Sequence, residues 1–346
     1  MADTYKRAVF VAPGEIRWDE RPIPQPAPRQ ALVRVRACAL CTWEQRLYTG
    51  EERFYPLAGG HEVSGELVMV GQQLYTDAEP GDRVMAALLT RCGYCESCRR
   101  GLDNICDNAR RQFRSTDVPG PAGLAEYVLL DDYQLYPASE AASFTELSLA
   151  EPLACVLRSI RKAALQWGDT VVISGAGIMG LLHLILAKRA GARVIVSEPL
   201  AERAAVARRM GAAEIIDPLN EPFVDRVLAL TGGRGADQLF TAVSVAAVVE
   251  QSIAAVAKGG RVAVYASVHP KPATITIDPN PFHSKEITLT GTVSQDKDDV
   301  RRAVKMISAG LIDLTPFISQ TVPFAQLEAG LEAARQPDTY RVIVTF

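Results

Sequence analysis

The chain has 346 residues, 48% of them hydrophobic and 22% charged, with a formal net charge of −3. That length exceeds what one hydrophobic core usually supports, so two domains are expected. The balance gives no electrostatic basis for nucleic-acid binding, and no apolar run is long enough for a membrane span. MADTYKRAVFVAPGE lacks the apolar centre of a signal peptide, so a cytoplasmic protein is expected. The basic pairs Arg99-Arg100 and Arg110-Arg111 read as solvated surface.

Residues 1–150 read as a β-rich domain. β-branched or alternating runs at Ala31–Ala37, Glu62–Val70 and Arg83–Ala87 are separated by Pro/Gly turns. Pro22, Pro24, Pro26 and Pro28 make an extended lead-in to the first of these strands. Glu79-Pro80-Gly81-Asp82 has the chemistry of a chain reversal. Cys92, Cys95, Cys98 and Cys106 then follow the pattern C-x2-C-x2-C-x7-C. Four thiolates can close a tetrahedron around Zn²⁺ with no position left for substrate, which makes a structural site over a lobe at about 88–110. Two disulfides or four unrelated thiols are the other readings. Disulfides do not suit a chain without a secretory segment.

Near residue 150 the pattern changes to apolar runs alternating with helical stretches. The runs are Val171–Ser174, Arg193–Ser197, Ile215–Asp217, Gln238–Thr241 and Arg261–Tyr265; helices are expected at 178–190, 201–210, 222–230 and 246–257. This rhythm predicts an α/β domain with a doubly wound parallel sheet. Thr274–Ile277 and Ile287–Gly291 read as a last strand pair at its edge. Helices at about 298–309 and 324–334 and a strand at Arg341–Phe346 complete the chain.

Gly175-Ala176-Gly177-Ile178-Met179-Gly180 is G-x-G-x-x-G, and it follows a strand and opens a helix. The glycines permit a tight turn, close approach to a pyrophosphate and helix–strand packing, with the phosphates at the helix N-terminus. Glu198, at the end of the next strand, can grip both ribose hydroxyls and would repel a 2′-phosphate, which favours NAD over NADP. Arg203 is the counterargument, since it could pair with that phosphate or flank the adenine.

Cys41, His61, Glu62 and Glu151 are further metal-ligand types in suggestive places. A catalytic zinc needs about three protein ligands and one exchangeable position. Spacing alone leaves this reading level with that of ordinary buried residues. Of the other histidines, His183 lies in an apolar helix, and His269 and His283 sit in Pro-rich loops. Cys38 and Cys155 read as small buried hydrophobes.

Cys41 with Glu44, Gly60-His61-Glu62-x-x-Gly65, Gly81-Asp82-Arg83-Val84, the four cysteines, Glu151-Pro152 and the glycine fingerprint together resemble a zinc-dependent medium-chain dehydrogenase/reductase of the alcohol dehydrogenase superfamily. The acid followed by Pro-Leu-Ala is similar to the sorbitol, xylitol and threonine dehydrogenase branch. The resemblance implies a GroES-like catalytic domain from residues 1–150 and 290–346, with a Rossmann dinucleotide-binding domain at 151–289 between them. It implies two Zn²⁺ per chain, the catalytic one held by Cys41, His61 and Glu62 or Glu151. It also implies that Thr292, Val293, Ala266 and Ser267 lie near the nicotinamide. Assembly into a dimer or tetramer through an edge strand near 275–289 is implied as well. The expected chemistry is oxidation of a secondary alcohol of a polyol, sugar or cyclitol, with hydride passing to the cofactor.

The pattern departs from the family at three positions. Most members carry Ser or Thr two residues after the first cysteine, where this chain has Trp43, whose indole donates but cannot accept a proton. Thr42 or a water chain through Glu62 or Glu151 can take that role, Trp43 can wall the pocket for a ring-shaped substrate, or Trp43 is core. Arg46 replaces a frequent histidine and can clamp a carboxylate or phosphate. Glu44 replaces the usual Asp, with a hydrogen bond from His61 as its expected role and a surface ion pair as the plainer one. An NADP-dependent carbonyl reductase and a nucleotide-binding protein without turnover remain as alternatives.

Overall fold

The computed structural model describes residues 4–109 and 117–346. Arg99 and Arg100 are exposed, and the pair Arg110-Arg111 lies outside the described residues. The chain divides into two compact units, Met1–Ala154 with Gln295–Phe346, and Cys155–Ser294.

In the first unit β1 (Thr4–Ala12) and β2 (Glu15–Pro22) pair antiparallel. β3 (Gln30–Ala39) is followed by helix α1 (Thr42–Thr49), β4 (Glu62–Val70), β5 (Arg83–Ala87), β6 (Tyr127–Asp131) and β7 (Leu135–Pro137). The reversal before β5 closes as its sequence suggests, with the Asp82 N–H donating to the Glu79 carbonyl at 3.0 Å. Along β3 the apolar side chains are buried, while Arg34 donates to the Tyr127 hydroxyl and Arg36 pairs with Glu66 at 2.7 Å. That alternation lets the strand face a core on one side and polar neighbours on the other. Helix α2 (Ala150–Ala163) begins in this unit and ends in the next.

The second unit is a six-stranded parallel sheet. Its strands are β8 (Thr170–Ser174), β9 (Arg193–Ser197), β10 (Glu214–Ile216), β11 (Ala236–Thr241), β12 (Val256–Val264) and β13 (Thr288–Gly291). They lie in the order β10-β9-β8-β11-β12-β13. Helices α3 (Ile178–Arg189), α4 (Ala201–Arg209), α5 (Phe223–Leu230) and α6 (Ala246–Ala255) make the crossovers. The order reverses at β8, so the crevice beyond its carboxyl end is where such sheets take a ligand. Three expectations need correction. Thr274–Ile277 is not a strand: it alternates as one, but Ile275 and Ile277 stay 36% and 39% exposed and no neighbour pairs with the segment. The helix expected over 246–257 stops at Ala255, because β12 already begins at Val256. Cys155 is half-buried, where a buried position was expected.

The chain then returns to the first unit through helix α7 (Lys297–Ser308), β14 (Ile318–Pro323), helix α8 (Leu327–Ala334) and β15 (Arg341–Thr345). The seven-stranded sheet runs β14-β15-β3-β4-β5-β7, with β6 also on β3. No described helix is long and apolar enough to cross a membrane.

His183 sits wholly inside the second unit, against Phe240 and Tyr265 with ring centroids 4.7 Å away in each case. Its Nδ1 faces the Met179 carbonyl at 2.7 Å and so carries the proton, leaving Nε2 to accept from the Ser159 hydroxyl at 2.9 Å. Burial drives the imidazole down to about 4, against a partial upward pull from the Met179 carbonyl. The folded state therefore binds fewer protons than the unfolded chain between that value and 6.5, and stability falls as pH falls through the window. Urea unfolding at about pH 7 and about pH 5 should show a loss of about 2 kcal/mol that His183→Gln does not share.

Candidate metal centres and nucleotide crevice

The four cysteines of the lobe gather as a set, their sulfur atoms all within 4.8 Å of one another. Cys95 Sγ and Cys106 Sγ are 3.9 Å apart. A tetrahedron of zinc–sulfur bonds of about 2.3 Å has an edge of about 3.8 Å, so the spacing fits that ion. Donors also aim at the sulfurs: the Cys92, Cys95 and Cys98 N–H groups donate to Cys106, Cys92 and Cys95 Sγ at 3.3, 3.3 and 3.4 Å. The Asn108 amide donates to Cys92 Sγ at 3.3 Å. Burial works to raise the Cys92 thiol, but Asn108 and the neighbouring backbone N–H groups bring it down to about 6. Cys98 is pushed up to about 12 by burial, with Cys95 and Cys106 adding to the rise. Thiolates this close repel one another, and a divalent cation at their centre removes that cost.

The second cluster forms where β3, α1 and β4 meet. Cys41 is the N-cap of α1, one residue past Leu40, and His61-Glu62 opens β4. Gly60 makes the approach possible: its φ is +89°, and a Cβ there would lie 2.4 Å from the Leu124 nitrogen. Gly65 has a comparable role further along β4, where a Cβ would meet the Arg34 carbonyl at 2.2 Å. One ligand atom each from Cys41, His61 and Glu62 falls within 4.8 Å of the others.

Glu44, wholly buried in α1, holds His61 in place. Its Oε1 accepts from His61 Nδ1 at 2.9 Å and from the Gly60 N–H at 3.0 Å. Nδ1 is thereby occupied, and Nε2 is the nitrogen left for a metal. Burial opposes protonation of this imidazole, yet the Glu44 carboxylate and Cys41 raise its pKa well above the ordinary value. Trp43 stands edge-on to the same ring, centroids 5.8 Å apart and planes at 73°. Thr42 is exposed, and Arg46 lies within ion-pair reach of Glu51 at 3.8 Å.

Sequence reasoning missed Arg341. It enters on β15 and forks onto Glu62, Nη2 to Oε1 at 2.8 Å and Nε to Oε2 at 3.0 Å, with both side chains buried. Burial disfavours the guanidinium charge, but Glu62 leads a set of negative groups that raise its pKa; Cys41 and Glu151 belong to that set. Glu151 is buried in the first turn of α2 and is not among the three clustered ligands.

In the second unit Gly175 follows β8 directly with φ +100°, and a Cβ on Gly180 would strike the Gly175 carbonyl at 1.9 Å. That contact is the close helix–strand packing of a dinucleotide fingerprint. Gly177 caps α3, with Ile178 and Met179 opening the helix. Glu198, at the carboxyl end of β9, accepts from the Ala176 N–H at 2.7 Å and the Leu200 N–H at 2.9 Å. The carboxylate thus braces the glycine loop from below. Arg203 Nη1 lies 3.7 Å from a Cβ built on Gly177. Ala266 and Ser267 follow β12, and Thr292 and Val293 follow β13, all at carboxyl ends of parallel strands. Thr292 Oγ1 is buried with no hydrogen-bond partner among the described residues.

Residues 27–140 match the alcohol dehydrogenase GroES-like domain, and residues 179–309 match the zinc-binding dehydrogenase domain. An L-threonine 3-dehydrogenase from Caldanaerobacter subterraneus subsp. tengcongensis is 30% identical over 90% of each chain. L-Galactonate-5-dehydrogenase from Escherichia coli K12 is 28% identical over 91% of each. A zinc-binding dehydrogenase from Sinorhizobium meliloti, solved bound to NADP, superposes with a TM-score of 0.89 at 28% identity, covering 100% of both chains. With a GroES-like domain and a Rossmann domain in one chain, and an oxidoreductase relative at this identity over most of its length, the protein belongs to the zinc-dependent medium-chain dehydrogenases of the alcohol dehydrogenase superfamily.

Proposed function

We propose that the protein oxidises a secondary hydroxyl of a polyol, sugar or cyclitol with NAD, using a zinc ion held by Cys41, His61 and an acid. The observation that carries this is the convergence of Cys41, His61 and Glu62 with Glu44 braced behind the imidazole. The relatives named for L-threonine and L-galactonate support a small hydroxyl-bearing substrate. A zinc ion there supplies Lewis acidity and the nicotinamide supplies a hydride acceptor. The protein's own work is to orient and to move a proton. Glu44 fixes the His61 tautomer, so Nε2 faces the ligand position. Trp43 cannot accept the proton released by the alcohol, whereas the exposed Thr42 hydroxyl can both accept and donate. Trp43 and Arg46 lie three residues apart on α1 and are the proposed pocket wall.

Glu62 and Glu151 compete for the acid's place. Glu62 lies with the other two ligands, yet both its oxygens already accept from Arg341. Glu62 in its resting arrangement is therefore a counter-ion to Arg341, with one lone pair left on each oxygen for a metal; Glu151 is the proposed alternate. The lobe cysteines hold the second, structural zinc.

Glu198 supports NAD, because a 2′-phosphate beside its carboxylate would be repelled. The NADP reading, a carbonyl reductase, is favoured by Arg203 near Gly177 and by the relative solved with NADP. Homo-oligomerisation through the edge of the second unit's sheet at β13, whose one partner among the described strands is β12, is proposed as well.

Zinc-loaded protein assayed for NADH formation against polyols, sugars, cyclitols and simple secondary alcohols should turn over a polyhydroxylated member. Cys41→Ser should abolish that rate while NADH still binds; NADH binding without turnover of any substrate would instead support a nucleotide-binding protein. Glu44→Ala should lower metal affinity or activity roughly 10- to 100-fold. Glu198→Ala should shift preference toward NADP by at least about tenfold, and a wild type that already prefers NADP would sink the NAD reading. Arg341→Met should cost about 3–5 kcal/mol in urea unfolding by stranding a buried carboxylate, with much of it recovered in Glu62→Gln/Arg341→Met.

A further inference from the structure

Beside the lobe that carries the four cysteines lies a buried arginine. Arg91, the residue before Cys92, is 5% exposed. Its Nε donates to Asp103 Oδ1 at 3.1 Å, and its Nη2 donates to the backbone carbonyl of Gln295. Its own N–H donates to the Tyr133 hydroxyl at 3.1 Å, and Lys297 Nζ reaches the other Asp103 oxygen at 3.5 Å. Nη1 has no hydrogen-bond partner among the described residues. Leaving a buried donor unmade is costly, so a residue that served only to fill space would not be an arginine. The planar fork can bind a carboxylate and a carbonyl at once, which an ammonium cannot do in the same geometry.

The two partners come from distant parts of the chain. Asp103 opens a single 3₁₀ turn, Asp103–Ile105, between Cys98 and Cys106. Most of that loop is exposed or half-buried, including Gly93, Tyr94, Glu96, Arg99 and Arg100. With so little buried apolar surface, the loop depends for its shape on the cysteine cluster and on the zinc ion proposed to sit there. Gln295 is wholly buried and is the first residue of the stretch on which the chain re-enters this unit. Thr292 and Val293 lie immediately before it.

We propose that Arg91 is a positioning residue that makes the order of residues 292–297 depend on the metal-held shape of the lobe. When Asp103 is in place, Arg91 keeps its counter-charge and its grip on Gln295. When the lobe loosens, a buried guanidinium loses its carboxylate, must reorient, and releases the Gln295 carbonyl. The lobe then bears on cofactor binding without touching the cofactor, a consequence that rests on the reading of Thr292 and Val293 as bordering the nicotinamide.

The test compares zinc-loaded wild type, Arg91→Met, Arg91→Lys and Asp103→Asn by amide hydrogen exchange over residues 290–300 and by NADH titration. Zinc content is measured on each protein. Arg91→Met should exchange roughly tenfold faster across 292–297 and bind NADH roughly three- to tenfold more weakly. Arg91→Lys, which keeps a charge beside Asp103 but cannot fork, should fall between it and wild type. Asp103→Asn should reproduce the exchange change, and it serves if Arg91→Met fails to fold. Wild-type exchange across 292–297 in a folded variant would overturn the proposal. Faster exchange with unchanged NADH affinity would uphold the tie and remove Thr292 and Val293 from the nicotinamide site.

Discussion

A buried positive charge tolerates few arrangements, and the meeting of Arg341 with Glu62 governs the first unit. The two residues are 279 positions apart, and each would be expensive to bury alone. Their pairing fixes β15 near the start of β4, with β3 between the two strands. β3 ends at Ala39, so Cys41 is delivered beside the first residue of β4. Glu44 then fills the space under the imidazole, and the Gly60 N–H meets the same carboxylate oxygen. The cluster is thus assembled by backbone placement, with Glu62 held by Arg341 and one Glu44 oxygen held by His61 and Gly60.

The second unit solves a different problem, that of placing a dense negative charge against protein. Its glycine loop is shaped by Glu198, which takes an N–H from within the loop and another from the residue beginning the next crossover. Each oxygen accepts one N–H and keeps a second lone pair, so the carboxylate can brace the loop and still accept from another donor.

Much of this was legible in the residues. The cysteine spacing marked the lobe because four thiols so close together have few other uses, and the fingerprint was readable because strand, glycines, helix and acid occur in their mechanistic order. Gly60 and Gly65 are legible only as parts of the family pattern, and the close backbone approaches they permit are visible only in the fold. What was not legible depends on contacts between remote segments. Arg341 looks like any arginine at a strand start, and only the sheet order reveals that it faces Glu62. Arg91 is hidden for the same reason, since its partner is a backbone carbonyl beyond the whole second unit. Thr274–Ile277 shows the converse error: alternation gives a segment strand character, but a strand exists only where another offers its hydrogen bonds.

The placement of β15 also has a consequence for how the chain is made. Residues 155–294 are continuous, and their parallel sheet can close as soon as they have left the ribosome. The first unit has no such freedom. β3 must wait for β15, on its far side from β4, until nearly the whole polypeptide has been synthesised. Meanwhile the Ala37–Ala39 end of that edge and the Glu62 carboxylate stay open, the condition under which nascent chains pair wrongly or recruit chaperones. The four-cysteine loop needs only neighbours within fifteen positions. Metal capture there can precede completion of the surrounding sheet by some two hundred residues of translation, about ten to forty seconds at ordinary rates.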